Sequence, residues 1–430
     1  MQSDGCVPCR RIHGSGDPSV HIRKRITYTD RACRPRRCHL LTRTYHYTAP
    51  DGRPSTYRDR KRVLWLLSVV FPLMPAFAVW MHYATASEWG LLFPLVFSYG
   101  AGPLLDWMLG EDRSNPPELT VPELENDHYY RVLTWLTVPL HVLALLVTAW
   151  WVATQDLSLP GWLALALVAG LFSGVAVNTA HEMGHKRERL DQWLSRIALA
   201  VPAYGHFTVE HNFGHHKHVA TPEDCASARM GESIYRFALR EMPGGVLRAW
   251  RIERQRLERR GHGPWSLRNT IVQSWLITLF LQGGLLLVFG LSLLPFLLVH
   301  NLVAWFQLTS ANYVEHYGLL RLKDENGRYE RCQPHHSWNS NHVFSNLLLF
   351  HLQRHSDHHA NPLRRYQSLR HFDDVPRLPT GYFGMFLLAY IPSLWFRVMD
   401  RRLLSLPNIA GDLDRVNRQP AVTQAGHREG

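Results

Sequence analysis

Glycine-rich nucleotide fingerprints are missing from these 430 residues, so the chain carries no flavin- or nicotinamide-binding module that a motif would reveal. Cysteine is scarce. The six are Cys6, Cys9, Cys33, Cys38, Cys225 and Cys332. Cys6-x2-Cys9 and Cys33-x4-Cys38 lack the glycines of a rubredoxin knuckle, and the second spacing is wrong for one. They fit a basic tail in a reducing compartment better than a metal site. No apolar core and small-residue cleavage site follow the basic N-terminal run, which excludes a secretory signal of the usual kind. No internal repeat is present. Acids are outnumbered, 35 against 47 Lys and Arg, for a net charge of +12. With no nucleic-acid motif, that excess points to an anionic membrane face.

The mean hydropathy of −0.18 hides long apolar blocks between Arg-rich stretches. Blocks at residues 63–83, 89–109, 132–153, 161–180, about 271–289 and 291–308 each approach the ~20 residues that cross a bilayer. Residues 197–207 are too short to span and are expected to be re-entrant or interfacial. Residues 382–398, broken by Pro392, read as an amphipathic helix lying on the surface and ending in the basic 397–402 segment. The connections 84–88, 154–160 and 290–292 contain no Lys or Arg, whereas both flanks and the long loop after residue 180 are rich in them. The positive-inside rule therefore puts both termini and that loop in the cytoplasm. The fold class is an all-α membrane protein, six transmembrane helices with a cytoplasmic helical cap. Residues 1–57 are expected to be a disordered basic extension and 406–430 a flexible tail, with the membrane domain at 58–405.

The cap should carry the chemistry. NTAHEMGHKRE, EHNFGHHKH and RHSDHH place His181 and His185, then His211, His215 and His216, then His355, His358 and His359 at helical spacing, so each cluster can aim imidazoles from one face at a shared point. A lone histidine is usually a satisfied core residue; three such clusters indicate metal. His181, Glu182 and His185 also match the HExxH pattern of zinc peptidases, which need only one further ligand. This chain offers many more. His316, just past the sixth apolar block, makes a ninth, and nine nitrogens over two metals give four or five each with an open position for O2. Glu182, Glu210, Glu315 and Asp357 each adjoin one of these histidines and are expected to accept from ring N–H groups. His206, His218, His342 and His351 lie nearby as alternatives. A histidine-rich metal transporter is a different reading, but transporters bind at mid-membrane and often show repeats, whereas these histidines lie beyond the helix ends.

HEMGHK, EHNFGHHKHVATPED, NYVEHYGL and LQRHSDHHANPLRRYQSL together resemble the signature blocks of integral-membrane alkane 1-monooxygenases, the bacterial alkane omega-hydroxylases. The likeness runs from about residue 60 to 404. The histidine boxes alone also suit membrane desaturases, fatty-acid and sterol hydroxylases and xylene monooxygenases; NYVEHYGL with HSDHHANP favours the alkane enzymes. Cys225 departs from an expected proline after PED. The resemblance implies a non-haem di-iron centre, two iron ions on His181, His185, His211, His215, His216, His316, His355, His358 and His359. It further implies terminal hydroxylation of medium-chain n-alkanes with O2 and two electrons from rubredoxin, itself reduced by rubredoxin reductase, in the bacterial inner membrane with the site facing the cytoplasm.

Overall fold

The computed structural model describes residues 43–419, so the four N-terminal cysteines lie outside it. Six helices are long and apolar enough to cross a bilayer, as the sequence predicts: α1 (Leu66–Thr85), α2 (Glu88–Leu109), α3 (His128–Thr154), α4 (Leu159–Gly184), α8 (Thr270–Phe289) and α9 (Leu291–His316). Between α4 and α8 come α5 (Arg189–Ala200), a helical run α6 over residues 207–218, and α7 (Ile234–Glu258). Among the shorter helices that follow α9 are α10 (His355–Ala360), α11 (Tyr382–Ala389) and α12 (Pro392–Leu404).

α4 is the central helix. Its apolar window is 89% buried against 22–50% for the other five, consistent with a sequence that is apolar on every face. It packs most closely on α9, where Gly170 and Gly174 make a small-xxx-small face. A Cβ at Gly170 would lie 2.7 Å from the His300 carbonyl oxygen, and one at Gly174 2.9 Å from that of Ala304. A polar chain reinforces this contact inside the membrane. His300 Nδ1 donates to Asn301 Oδ1 (2.9 Å), so its Nε2 accepts from Ser173 (2.6 Å), whose oxygen accepts from His141 Nε2 (3.1 Å). Gln282 and Asn301 exchange amide bonds at 2.9 and 3.0 Å, and the chain thereby joins α3, α4, α8 and α9.

Three expectations need correction. The stretch read as disordered up to residue 57 contains a hairpin, β1 (Thr44–Thr48) and β2 (Pro54–Arg58), with Tyr45 opposite Tyr57. The Thr and Tyr residues of both strands suit a pleated, half-buried surface, and Tyr45 is fully buried with its hydroxyl on Asp127 (2.9 Å). The stretch read as a flexible tail from 406 is structured to residue 419: Ile409 and Val416 are buried and the Met230 N–H bonds the Asn417 carbonyl (2.7 Å). Residues 382–398 are two helices bent by 118° at Pro392, not one surface helix. α11 is inside, with Tyr382, Phe383, Met385, Phe386 and Ala389 buried; only α12 is amphipathic, burying Trp395, Met399 and Leu403 and exposing Arg401 and Arg402.

Residues 197–207 dip between the spans after α5. Thr278, Gln282 and Trp305 side chains donate to the carbonyls of Ala200, Val201 and Pro202 at 2.8–2.9 Å, which satisfies irregular backbone at membrane depth. The α4–α9 contact yields the first prediction. Gly174→Leu forces the two helices apart, at a cost of about 1–3 kcal/mol or more, and should lower the melting temperature of the detergent-solubilised protein by several degrees; an unchanged melting curve would disprove the close contact.

Candidate metal centre

Four elements converge at one end of the bundle. The last turn of α4 carries His181 and leads into His185, α6 carries His211, His215 and His216, α9 ends on His316, and α10 carries His355, His358 and His359. Two sets result. The ring nitrogens of His181, His185, His211, His216 and His358 all lie within 4.8 Å of one another, and so do those of His215, His316, His355 and His359. The sets adjoin, His216 and His359 having ring centroids 4.4 Å apart.

The clusters do not each serve one point, as their spacing suggested. Only the first does. In α6 the turn His211–His215 is a π turn, so His211 meets His216, five residues on, with Nε2 atoms 3.0 Å apart, while His215 faces the other set. In α10, His355 and His359 share a face with Nε2 atoms 2.9 Å apart, and His358 points to His181 at 2.9 Å.

These distances suit coordination. Two imidazole nitrogens bound at about 2.0–2.1 Å with a right angle between them lie roughly 3.0 Å apart. The observed Nε2 pairs, His181–His358, His211–His216, His216–His358, His316–His355 and His355–His359, are 2.9–3.2 Å apart. Hydrogen bonding among the rings cannot account for all of them. His215 donates Nδ1–H to Asp224 at 2.8 Å, leaving its Nε2 as a bare lone pair that is buried without a partner; the Nε2 of His185 is likewise unpartnered. Each such atom costs ~1–3 kcal/mol, and a cation removes the penalty. Burial, with neighbouring rings adding to it, holds His211, His216, His355, His358 and His359 well below the ordinary imidazole range, so they are neutral and ready to ligate at pH 7. Burial would lower His215 too, but the Asp224 carboxylate outweighs it and raises that ring.

Comparison with known proteins fits this centre. Residues 159–397 match the fatty acid desaturase family. Alkane 1-monooxygenase 1 of Alcanivorax borkumensis is 55% identical over 377 residues, 87% of this chain and 92% of that one. Alkane 1-monooxygenase of Ectopseudomonas oleovorans is 56% identical over 372 residues, covering 85% and 90%. The chain belongs to the alkane 1-monooxygenases. A more distant relative, the hydroxylase component of Pseudomonas putida xylene/toluene monooxygenase, is 30% identical over 233 residues, 53% of this chain and 61% of its own.

In this alkane 1-monooxygenase a small hollow borders both histidine sets, with His181 and His211 on one side and His355 and Glu315 on the other. Asn178, Leu308, Ala311 and Leu352 line it and also line a second hollow between α4, α9 and α11, closed by Phe383 and Phe386. Both hollows are small, of about 10 and 20 Å³, and mostly apolar, and they share these four lining residues.

The surrounding carboxylates are arranged differently from the sequence expectation. Glu182 pairs with Lys186 (3.1 Å) and accepts from the Tyr366 N–H; Glu210 is bonded by Arg248; Asp357 pairs with Arg364 (3.0 Å) and accepts from the Arg370 N–H. All three support the loops and not the rings. Glu315 alone approaches a ring nitrogen, its Oε2 lying 3.4 Å from His355 Nε2 while Oε1 accepts from Tyr382 (2.8 Å). The residue that orients an imidazole is Asp224, in the TPED turn, held by Arg248 (2.7 Å) and Ser227 (2.7 Å). It lies nine residues beyond His215, so no helical spacing flagged it. The four alternative histidines belong to neither set: His351 bonds Lys61 (3.2 Å) and His342 bonds Ser340 (2.7 Å), for example.

Asp224→Asn removes the charge that fixes the His215 ring. Metal affinity should fall about 10–100-fold at the four-histidine position only, so metal analysis after dialysis should find roughly half the wild-type content. Equal loss from both positions would contradict this arrangement.

Proposed function

We propose that this enzyme hydroxylates medium-chain n-alkanes at the terminal carbon, consuming O2 and two electrons from reduced rubredoxin at a non-haem di-iron centre. The observation that carries the reading is the pair of adjoining histidine sets beside two small apolar hollows, in a chain so similar to named alkane 1-monooxygenases. The overall balance is RH + O2 + 2 electrons + 2 protons giving ROH + H2O. Iron, when bound, supplies the O2-derived oxidant that an unactivated C–H bond requires.

The protein contributes position, dryness and protons. His181, His185, His211, His216 and His358 hold one ion; His215, His316, His355 and His359 hold the other. An alkane offers only apolar area, worth about 25 cal/mol per Å² buried, and Leu308, Ala311, Leu352 and Phe207 present such surface beside the rings. The narrow space beside the rings admits a chain end first, which favours the terminal carbon. Glu315, steadied by Tyr382 and opening on the same hollow, is the group positioned to hold or pass a proton at Oε2.

Electrons must come from a partner, given the missing nucleotide fingerprint. Rubredoxin docks, in this reading, on the cytoplasmic face of the inner membrane, an orientation that rests on the Lys and Arg distribution. Internal ion pairs narrow the choice of docking charges. Arg364, Arg365 and Arg370 are engaged by Asp357, Glu188, Asp191 and Glu118, and Arg248 and Arg256 by Glu210, Asp224 and Glu253. An open hollow of about 350 Å³ reaches the chain next to His185; of its cations Arg131, Lys186 and Arg365 are paired with Glu188, Glu182 and Asp191, and Glu125 and Glu188 also line it, so Arg187 is the cation it offers a partner. Arg187 is exposed there. Opposite fields would speed encounter with an acidic partner in a salt-dependent way.

Two measurements test the reading. Cells expressing the enzyme and fed octane, hexadecane or xylene should yield 1-octanol or 1-hexadecanol by gas chromatography; a methyl-hydroxylated xylene or an altered acyl lipid instead would favour the aromatic or acyl-lipid alternative. Purified protein should hold two irons, and His358→Ala should lose iron and abolish turnover; one zinc in place of iron would overturn the reading. For docking, Arg187→Glu should raise the rubredoxin concentration needed for half-maximal rate several-fold, with turnover at saturating rubredoxin little changed. A wild-type response would move the partner elsewhere.

A further inference from the structure

α7 is fastened to two spans at the histidine-bearing end of the bundle. Glu241 accepts from Thr309 Oγ1 (2.7 Å) and Asn312 Nδ2 (3.2 Å), both within the last turns of α9. Glu253 accepts from the N–H (2.8 Å) and hydroxyl (3.0 Å) of Thr270, the first residue of α8. The helix between them covers about 18 Å. α7 therefore crosses from α9 to α8 at the histidine-bearing end of the bundle. Its N-terminal end also sits deeper. Tyr235 stacks on Phe306 with centroids 6.3 Å apart, and Phe306 lies roughly 15 Å below the end of α9.

The outward stripe of this helix changes character along the same slope. At the deep end Leu239 is 80% exposed and Leu247 66%, and Arg236 in the first turn is the exposed charge there. Arg251, Arg254, Arg259 and Arg260 are exposed where the helix reaches the end of α8. Immediately before that span, Trp265 and Leu267 are 72% and 69% exposed. Trp265 packs on Trp250 (4.8 Å), which stacks on Trp275 of α8 (5.6 Å, 9°). Tryptophan at a span end, leucine below and arginine above is the order in which a bilayer changes from acyl chains to phosphates.

We propose that α7 is an oblique interfacial helix that binds the leaflet on the histidine side. Leu239 and Leu247 lie among acyl chains, Trp265 lies at their border with the headgroups, and Arg251, Arg254, Arg259 and Arg260 lie on anionic headgroup phosphates. A soluble acidic partner would match the arginines but leave both leucines in water, whereas continuity with α8 supplies the lipid directly. The inner face of the same helix carries Arg248, which bonds Glu210 and Asp224, and Asp224 orients His215. Lipid that holds the outer face therefore steadies the four-histidine position from behind.

Full-length protein in lipid discs tests this without requiring turnover, so the outcome is independent of the activity reading above. A photo-crosslinking benzoyl-phenylalanine installed at Leu239 or Leu247 should form phospholipid adducts by mass spectrometry, in the presence or absence of rubredoxin. Replacing phosphatidylcholine with phosphatidylglycerol should raise the melting temperature of the wild type by several degrees. The double variant Arg251→Glu, Arg254→Glu should lose that rise. Adducts to rubredoxin, absence of lipid adducts at both leucines, or a melting response to phosphatidylglycerol that survives the double variant would each overturn the proposal.

Discussion

Nine imidazoles share a small buried volume, and neutral imidazoles cannot satisfy one another there. Each has one N–H and one lone pair, and the lone pair of His215 is committed inward once Nδ1–H has gone to Asp224. Among the nine rings the Nε2 atoms of His185 and His215 are left buried without a partner, and a cation at each set would take up these lone pairs. The geometry of the cap follows from that constraint. The π turn in α6 separates His215 from His211 and His216, and α10 divides its three rings between the same two sets. In α6 the π turn brings His216 back to His211, five residues on, whereas in α10 ordinary helical spacing keeps His358 apart from His355 and His359.

Convergence of rings from four elements requires that those elements not slide. The tightest pair, α4 and α9, approach through Gly170 and Gly174, and a one-directional chain of donors from His141 through Ser173 to His300 and Asn301 ties α3 and α8 to them. Lipid offers no hydrophobic force to press helices together, so close backbone contact and polar bonds serve instead. The same pair of helices lines the apolar hollows beside the centre, so the scaffold that sets ring positions also bounds the space next to them.

Charge has a sorted arrangement around this core. Arginines facing inward, such as Arg248 and Arg364, are neutralised by Asp224, Glu210 and Asp357 and brace the loops behind the rings. Buried ion pairs of this kind add little net stability but penalise any other loop geometry, because breaking one strands a charge. Exposed arginines are left for partners outside the fold. Those on α7 adjoin exposed leucine and tryptophan, whereas Arg187 adjoins the open hollow near His185.

Much was legible before any coordinates. The span count depends only on length and local apolarity, and the histidine inventory only on residue type and helical period; the six spans and the nine clustered rings both appear in the structure. Family membership rested on contiguous blocks such as NYVEHYGL, which need no folding to be read. Tertiary structure decided which ring joins which set, because a π turn alters the period that sequence spacing assumes. It revealed Asp224 in place of Glu182, Glu210 and Asp357, because a hydrogen-bond partner is chosen by distance in space and not along the chain. It also buried Tyr382 to Ala389 and ordered the Thr44–Arg58 hairpin, since whether an apolar helix or a short tyrosine-rich strand packs inside depends on a neighbour with a complementary surface, and such a neighbour exists only once the whole chain has folded.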